Sequence, residues 1–166
     1  KLFIRGNAAG RPMINSVGSP KLVINGTALD YLAESFMAGD PLEGGGFVII
    51  NGIEYDEKGQ IQAMETPYPG GNLFSLSSGG AIYVRDPHNR LSASQLNGGD
   101  FTDLTDADWQ ILEPLLVENE THFGIQLAAL LTVEGDVRAP SSVYRKIIPL
   151  KNKALSVEDG WAAKHD

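Results

Sequence analysis

Two groups of acids could do general acid–base work or hold a cation: Asp103, Asp106 and Asp108, and Glu54, Asp56 and Glu57. A calcium loop needs oxygen ligands at alternating positions and a later glutamate, and Asp100 to Asp108 offers acids without that order. The first group therefore reads as the start of a capped helix and the second as a solvated hairpin, because exposed acids are far commoner than acid sites. Of the three histidines, His88, His122 and His165, only His88 has a charged setting, beside Arg85 and Asp86. A hydrolase would use His88 with Asp86 or Asp100 as a proton-transfer pair. Zinc needs three or four convergent ligands, and no closely spaced histidine pair exists.

A serine nucleophile would need Gly-x-Ser-x-Gly on a strand-to-helix turn. Ser77-Ser78-Gly79 lacks the leading glycine, so Gly71 to Gly80 reads as turn chemistry. Gly44-Gly45-Gly46 could turn backbone N–H groups toward an anion, although a corner too tight for side chains is the simpler reading. No dinucleotide fingerprint and no phosphate-loop lysine is present. No residue is therefore expected to be catalytic, cofactor-binding or metal-binding.

The elements that would position these groups begin with Leu22-Val23-Ile24-Asn25-Gly26 and Phe47-Val48-Ile49-Ile50-Asn51-Gly52, which share an Ile-Asn-Gly ending. Lys1 to Gly6, Leu73 to Leu76 and Ala81 to Arg85 are further strand candidates, with Met13 to Gly18 as a weaker extended piece. Short apolar runs closed by glycine, with spacings that begin at 20 residues between Ile4 and Ile24, predict stacked coils of a parallel β-helix. Continuous apolar runs also suit parallel strands better than half-solvated antiparallel ones. Residues 27–38 carry Leu29, Leu32 and Phe36 at helical spacing, but they sit between Gly26 and Gly39 where a coil must turn. We read them as a coil with Leu29, Leu32 and Phe36 inside and Asp30 and Tyr31 exposed. Arg11, Asn15, Asp30 and Tyr31 would either form an inter-subunit face or cap the coil wall. Ile53 to Met64 reads as a hairpin about Lys58-Gly59, inserted between coils.

The pattern changes after Asp86-Pro87. Thr105-Asp106-Ala107-Asp108-Trp109 opens a helix, with Thr105 as cap and acids near its positive end. Trp109, Leu112, Leu116 and Phe123 mark its apolar side, Gly124 its stop, and Pro114 predicts a kink or a division into two helices. Gln126 to Leu131 is a further short helix, Tyr144 to Pro149 a strand or strap, and Trp161 the one large anchor of a tail. The expected organisation is β-helix coils over 1–90, a helical appendage over 91–149 and a tail over 150–166.

The 166 residues carry 13 Lys and Arg against 21 Asp and Glu, a net charge of −8 that argues against nucleic acid or an anionic membrane as partner. With no cysteine, the chain has no disulfide, thiolate nucleophile or cysteine-held iron–sulfur cluster of its own. No apolar run approaches a membrane span, and a cytoplasmic setting is expected.

Gly26 to Asp30, Gly39, Gly44-Gly45-Gly46 and Ser78-Gly79-Gly80-Ala81-Ile82-Tyr83 resemble the C-terminal GXGXG domain of the glutamate synthase large subunit. Gly79 to Pro87, Gln95 to Gly99, Asp108-Trp109, Glu118-Asn119-Glu120, Phe123-Gly124-Ile125 and Tyr144-Arg145-Lys146 are similar to the archaeal-type stand-alone form. The resemblance implies a right-handed parallel β-helix, a single-stranded solenoid, with a short helical appendage. It also implies a non-catalytic brace within a glutamate-synthase-type oxidoreductase complex. Glutamine amidotransferase and flavin-dependent synthase chemistry, with FMN and iron–sulfur clusters, then belongs to partner subunits or domains. A homo-oligomer is a further expectation. The same fold family includes the C subunit of formylmethanofuran dehydrogenase and its formyltransferase/hydrolase relatives, which supplies the alternative reading.

Overall fold

Most of the apolar runs become strands where expected; Leu73 to Leu76 instead forms a turn with a single bridge at Leu73. In the computed structural model, which describes residues 1–150, the first strands are β1 (Leu2–Ile4), β2 (Lys21–Ile24) and β3 (Phe47–Ile50). A hairpin of β4 (Ile53–Tyr55) and β5 (Ile61–Ala63) follows, and then β6 (Ala81–Arg85). After these come β7 (Gly99–Thr102), helix α1 (Asp106–Phe123), helix α2 (Leu127–Leu130), β8 (Thr132–Val133), β9 (Asp136–Val137) and β10 (Tyr144–Pro149).

These strands do not make a β-helix. Six of them form one mixed sheet in the order β1-β2-β3-β6-β10-β7. The first four run parallel, and β10 runs antiparallel to both β6 and β7. The sheet therefore takes strands from both sides of residue 90, and residues 91–149 contribute two of them as well as helices. The segments between the strands cannot build further parallel sheets, because their backbone alternates into left-handed conformation at Met13 and Asn15, at Tyr31, Ala33 and Ser35, and at Asn72, Phe74 and Leu76. Isolated parallel bridges, Ala8 with Ala28, Val17 with Met37 and Leu73 with Leu96, are what remains of strand pairing there.

Two apolar layers follow from the period-two alternation of the strands. Leu22, Ile24, Val48, Ile50, Ile82 and Val84 pack against the connecting loops, whose Leu32, Phe36, Leu73 and Phe74 are buried with them. The opposite face, with Val23, Phe47, Ile49, Ala81 and Tyr83, receives Leu112, Leu115 and Leu116 of α1. Each such side chain stabilises the fold by roughly 1.5–3 kcal/mol. The loops also bond to one another, with Ala33 N donating to Pro12 O and Phe74 N to Leu32 O at 2.9 and 3.0 Å. Leu29, expected inside, is 60% exposed, while Leu32 and Phe36 are fully buried. Residues 27–38 are thus an irregular loop, and the alternating left-handed residues rule out a helix there.

Helix α1 is capped by a reciprocal box. The Thr105 side chain accepts from Asp108 N, and Thr105 N donates to Asp108 Oδ2 at 2.9 Å. Gly124 closes the helix at φ 71°. Pro114 does not divide it; one helix runs through. Pro114 and Gln110, the residue whose carbonyl loses its helix donor, are both exposed, which leaves water to serve that carbonyl. Trp161 and His165 lie outside the described residues. Among the described residues no helix is long and apolar enough to cross a membrane.

Candidate functional site

Two buried polar assemblies lie on the helix-facing side of the sheet, and a third, around Asp86, lies toward the loop-facing side with Leu91 and Phe101. Strand register aligns Ile4, Ile24, Ile50 and Val84 across neighbouring strands, so Arg5, Asn25, Asn51 and Arg85 form the next row. Asn25 Nδ2 donates to Asn119 Oδ1 at 2.8 Å, and Asn119 Nδ2 donates back to Asn25 Oδ1 at 2.8 Å. Asn51 Nδ2 donates to Asn25 Oδ1 at 2.9 Å, and Tyr144 OH donates to Asn51 Oδ1 at 2.7 Å. The repeated Ile-Asn-Gly endings thus become a buried amide ladder from sheet to helix. Burial pushes the Tyr144 phenol well above its usual range, so it remains a neutral donor.

Asp108 centres the second assembly. Its Oδ1 accepts from Tyr83 OH and from Lys146 Nζ, both at 2.7 Å, and its Oδ2 from Thr105 N and Oγ1. Burial by itself would raise this carboxyl, but the hydrogen bonds from Lys146, Tyr83 and Thr105 outweigh it and hold the group below its ordinary range. Asp108 is therefore far more than a helix-start acid, while Asp103 and Asp106 are exposed as expected. The third assembly is a turn: Asp86 accepts from Arg90 N, Leu91 N and Arg145 Nη1 at 2.8–3.0 Å.

The remaining candidates fall to structural roles. Asp56 accepts from Lys58 N and Gln60 N, closing the β4–β5 turn, and Glu54 accepts from Gln62. The N–H groups of Gly44, Gly45 and Gly46 donate to Pro41, Asp40 and Ala38 carbonyls, so none is turned toward an anion. Ser77 Oγ donates to Ala33 O at 2.8 Å. Arg11 reaches Glu34 at 3.1 Å and lies over the Tyr31 ring, while Asp30 accepts from Tyr31 N. His122 is exposed beside Glu118 and Phe3.

One open cleft of about 690 Å³ lies between the β4–β5 hairpin and the turn from α2 into β8. Ala63, Ala129 and Thr132 line it together with the buried Arg85 and the exposed His88 and Arg90. His88 hydrogen-bonds to neither Asp86 nor Asp100 among the described residues: Asp86 holds its own turn, and Asp100 accepts from Phe101 N on β7. The proton-transfer pair a hydrolase would need is not assembled. Arg85 is the cleft group that the sequence did not single out by itself. Its signal was its place in the row of Asn25 and Asn51, which becomes visible only once the register is known.

Compared with protein-family models, with curated proteins and with solved structures, the chain gives no match.

Proposed function

We propose that this chain is a non-catalytic structural module that holds other protein subunits or domains in fixed relation. The observation that carries the reading is the use of its buried polar groups as fasteners between layers. Asn25 and Asn119 join sheet to helix, Asp108 joins α1 to β6 and β10, and Asp86 joins the β6 turn to β10. A catalytic site needs groups left open to a substrate in workable geometry, whereas these are engaged with one another. The exposed apolar side chains Val17 and Met37, bridged on adjacent loops, offer contact area for a protein neighbour.

The sequence resemblance directs the partner proposal to a glutamate-synthase-type complex in the cytoplasm, whose FMN and iron–sulfur clusters would sit on the partners. With the β-helix replaced by a mixed sheet, the support for that partner is the likeness of the motifs alone. Purification of the tagged chain from its native source, followed by cofactor analysis of what accompanies it, tests the proposal. A flavin-bearing partner in fixed stoichiometry is the expected result. Catalytic turnover by the isolated chain would overturn the reading.

A further inference from the structure

Arg85 is 7% exposed, and no carboxylate among the described residues pairs with it. The acid next to it in sequence, Asp86, is already engaged by Arg145 and by two backbone N–H groups. Arg85 Nε donates to Leu130 O at 2.7 Å and Nη2 to Thr132 O at 3.0 Å. Those two bonds occupy the side edge of the guanidinium. The end edge, Nη1 with the second hydrogen of Nη2, has no protein acceptor among the described residues, and Nη1 is not fully buried. Arg85 is among the residues that line the cleft, so an edge without a protein acceptor is the part of it available to a ligand there.

A neutral donor could cap the same two carbonyls without placing an uncompensated charge in the interior, where burial disfavours it. Burial indeed lowers the Arg85 pKa from its ordinary value. The planar end edge has the geometry to take both oxygens of a carboxylate at once. Ile53, Ala63, Ala129 and Val133 provide apolar wall around it. The exposed His88 and Arg90 add donors to the lining, while Glu65 and Glu134 belong to it as well and disfavour a multiply charged anion.

We propose that this cleft binds a small monocarboxylate with a short aliphatic body, its two oxygens on the end edge of Arg85 and its body against the alanine-lined walls. The ligand completes the charge pairing that the fold leaves open at this one strand end. The site is independent of whether the chain braces a complex.

Titration of the full chain with sodium butyrate, followed by amide and arginine Nε–H resonances, tests the proposal, with inorganic phosphate as the comparison anion. Saturable shifts at Arg85, Ala63 and Thr132 are expected, with butyrate binding more tightly than phosphate. Arg85→Met should weaken butyrate by about tenfold or more. Because that change also strips two carbonyls of their donor, Ala63→Trp provides a second variant that fills the cleft from the exposed face of β5. It should weaken butyrate similarly while leaving the dispersed spectrum of the folded chain intact. Arg11→Gln, in the separate surface cluster, should leave the affinity unchanged. Unsaturable shifts, equal affinity in Ala63→Trp, or phosphate binding as tightly as butyrate would each overturn the assignment.

Discussion

Asn25 and Asn119, 94 residues apart in the chain, form a reciprocal amide pair in which each donates to the other at 2.8 Å. Both are fully buried. Removing Asn25 leaves Asn119 without its donor and acceptor partners together, whereas removing Asn119 leaves Asn25 its bonds with Ile4 O and Asn51 but strips one contact from each side of its amide. Asn119→Leu should therefore destabilise the chain by about 1–3 kcal/mol in urea unfolding, and Asn25→Leu by at least as much, since Asn25 also serves Asn51 and Ile4 O. The double variant should lose less than the sum of the two. Strict additivity would show that the pair is not coupled.

Asp108 should dominate the acid limb of stability. Its folded pKa lies below the unfolded value, so its contribution is present above about pH 4 and is lost as pH falls through the lower folded value. Asp108→Asn should flatten that limb and cost about 3–5 kcal/mol at neutral pH, because Lys146 is left buried without its partner. Denaturant unfolding from pH 7 down to pH 2 checks both statements. Lys146→Met placed on Asp108→Asn should recover part of the loss.

Gly80 has φ 82°, and a Cβ there would run into the ring of Phe36. Gly80→Ala should cost about 2 kcal/mol or more, from the left-handed backbone together with displacement of a fully buried ring. Gly59, at φ 76° with open space around it, is the control, and Gly59→Ala should show the backbone part alone. Equal losses at both positions would mean that the Phe36 contact contributes nothing.

Pro114 predicts the opposite sign. It stands in the interior of α1 on the exposed side, so Pro114→Ala restores a helix hydrogen bond without disturbing the core. A gain of about 1–2 kcal/mol is expected, somewhat less than the full helix penalty of proline because the unfolded chain becomes freer. Thermal unfolding measures it, and a loss of stability would show that the proline shapes the helix to fit the sheet.

What the sequence revealed was local. Continuous apolar runs marked β2, β3 and β6, the Lys58-Gly59 turn marked the hairpin, and Thr105 and Gly124 marked the limits of α1. What it concealed was set by distant or unusual backbone. The antiparallel entry of β10 beside β6 has no local signature, so a stack of parallel coils was the natural extrapolation from β1 to β3. Residues 27–38 misled because Tyr31, Ala33 and Ser35, none of them glycine, take positive φ, a choice that propensity cannot foresee. At the candidate site, Arg85 looked like the charged companion of His88, and only the row it shares with Asn25 and Asn51 sets it apart.

The place of β10 in the sheet also bears on how the chain comes to be folded. Among the described residues, strand β7 pairs within the sheet through β10 alone, and β10 is the last of their strands to be made. Residues 99–102 therefore gain their strand partner only once residues 144–149 have been made and have entered beside β6. The apolar row of β6, with Ile82 and Val84, has an unpaired flank until then. Association of nascent chains along this flank is the hazard that such an order of assembly creates.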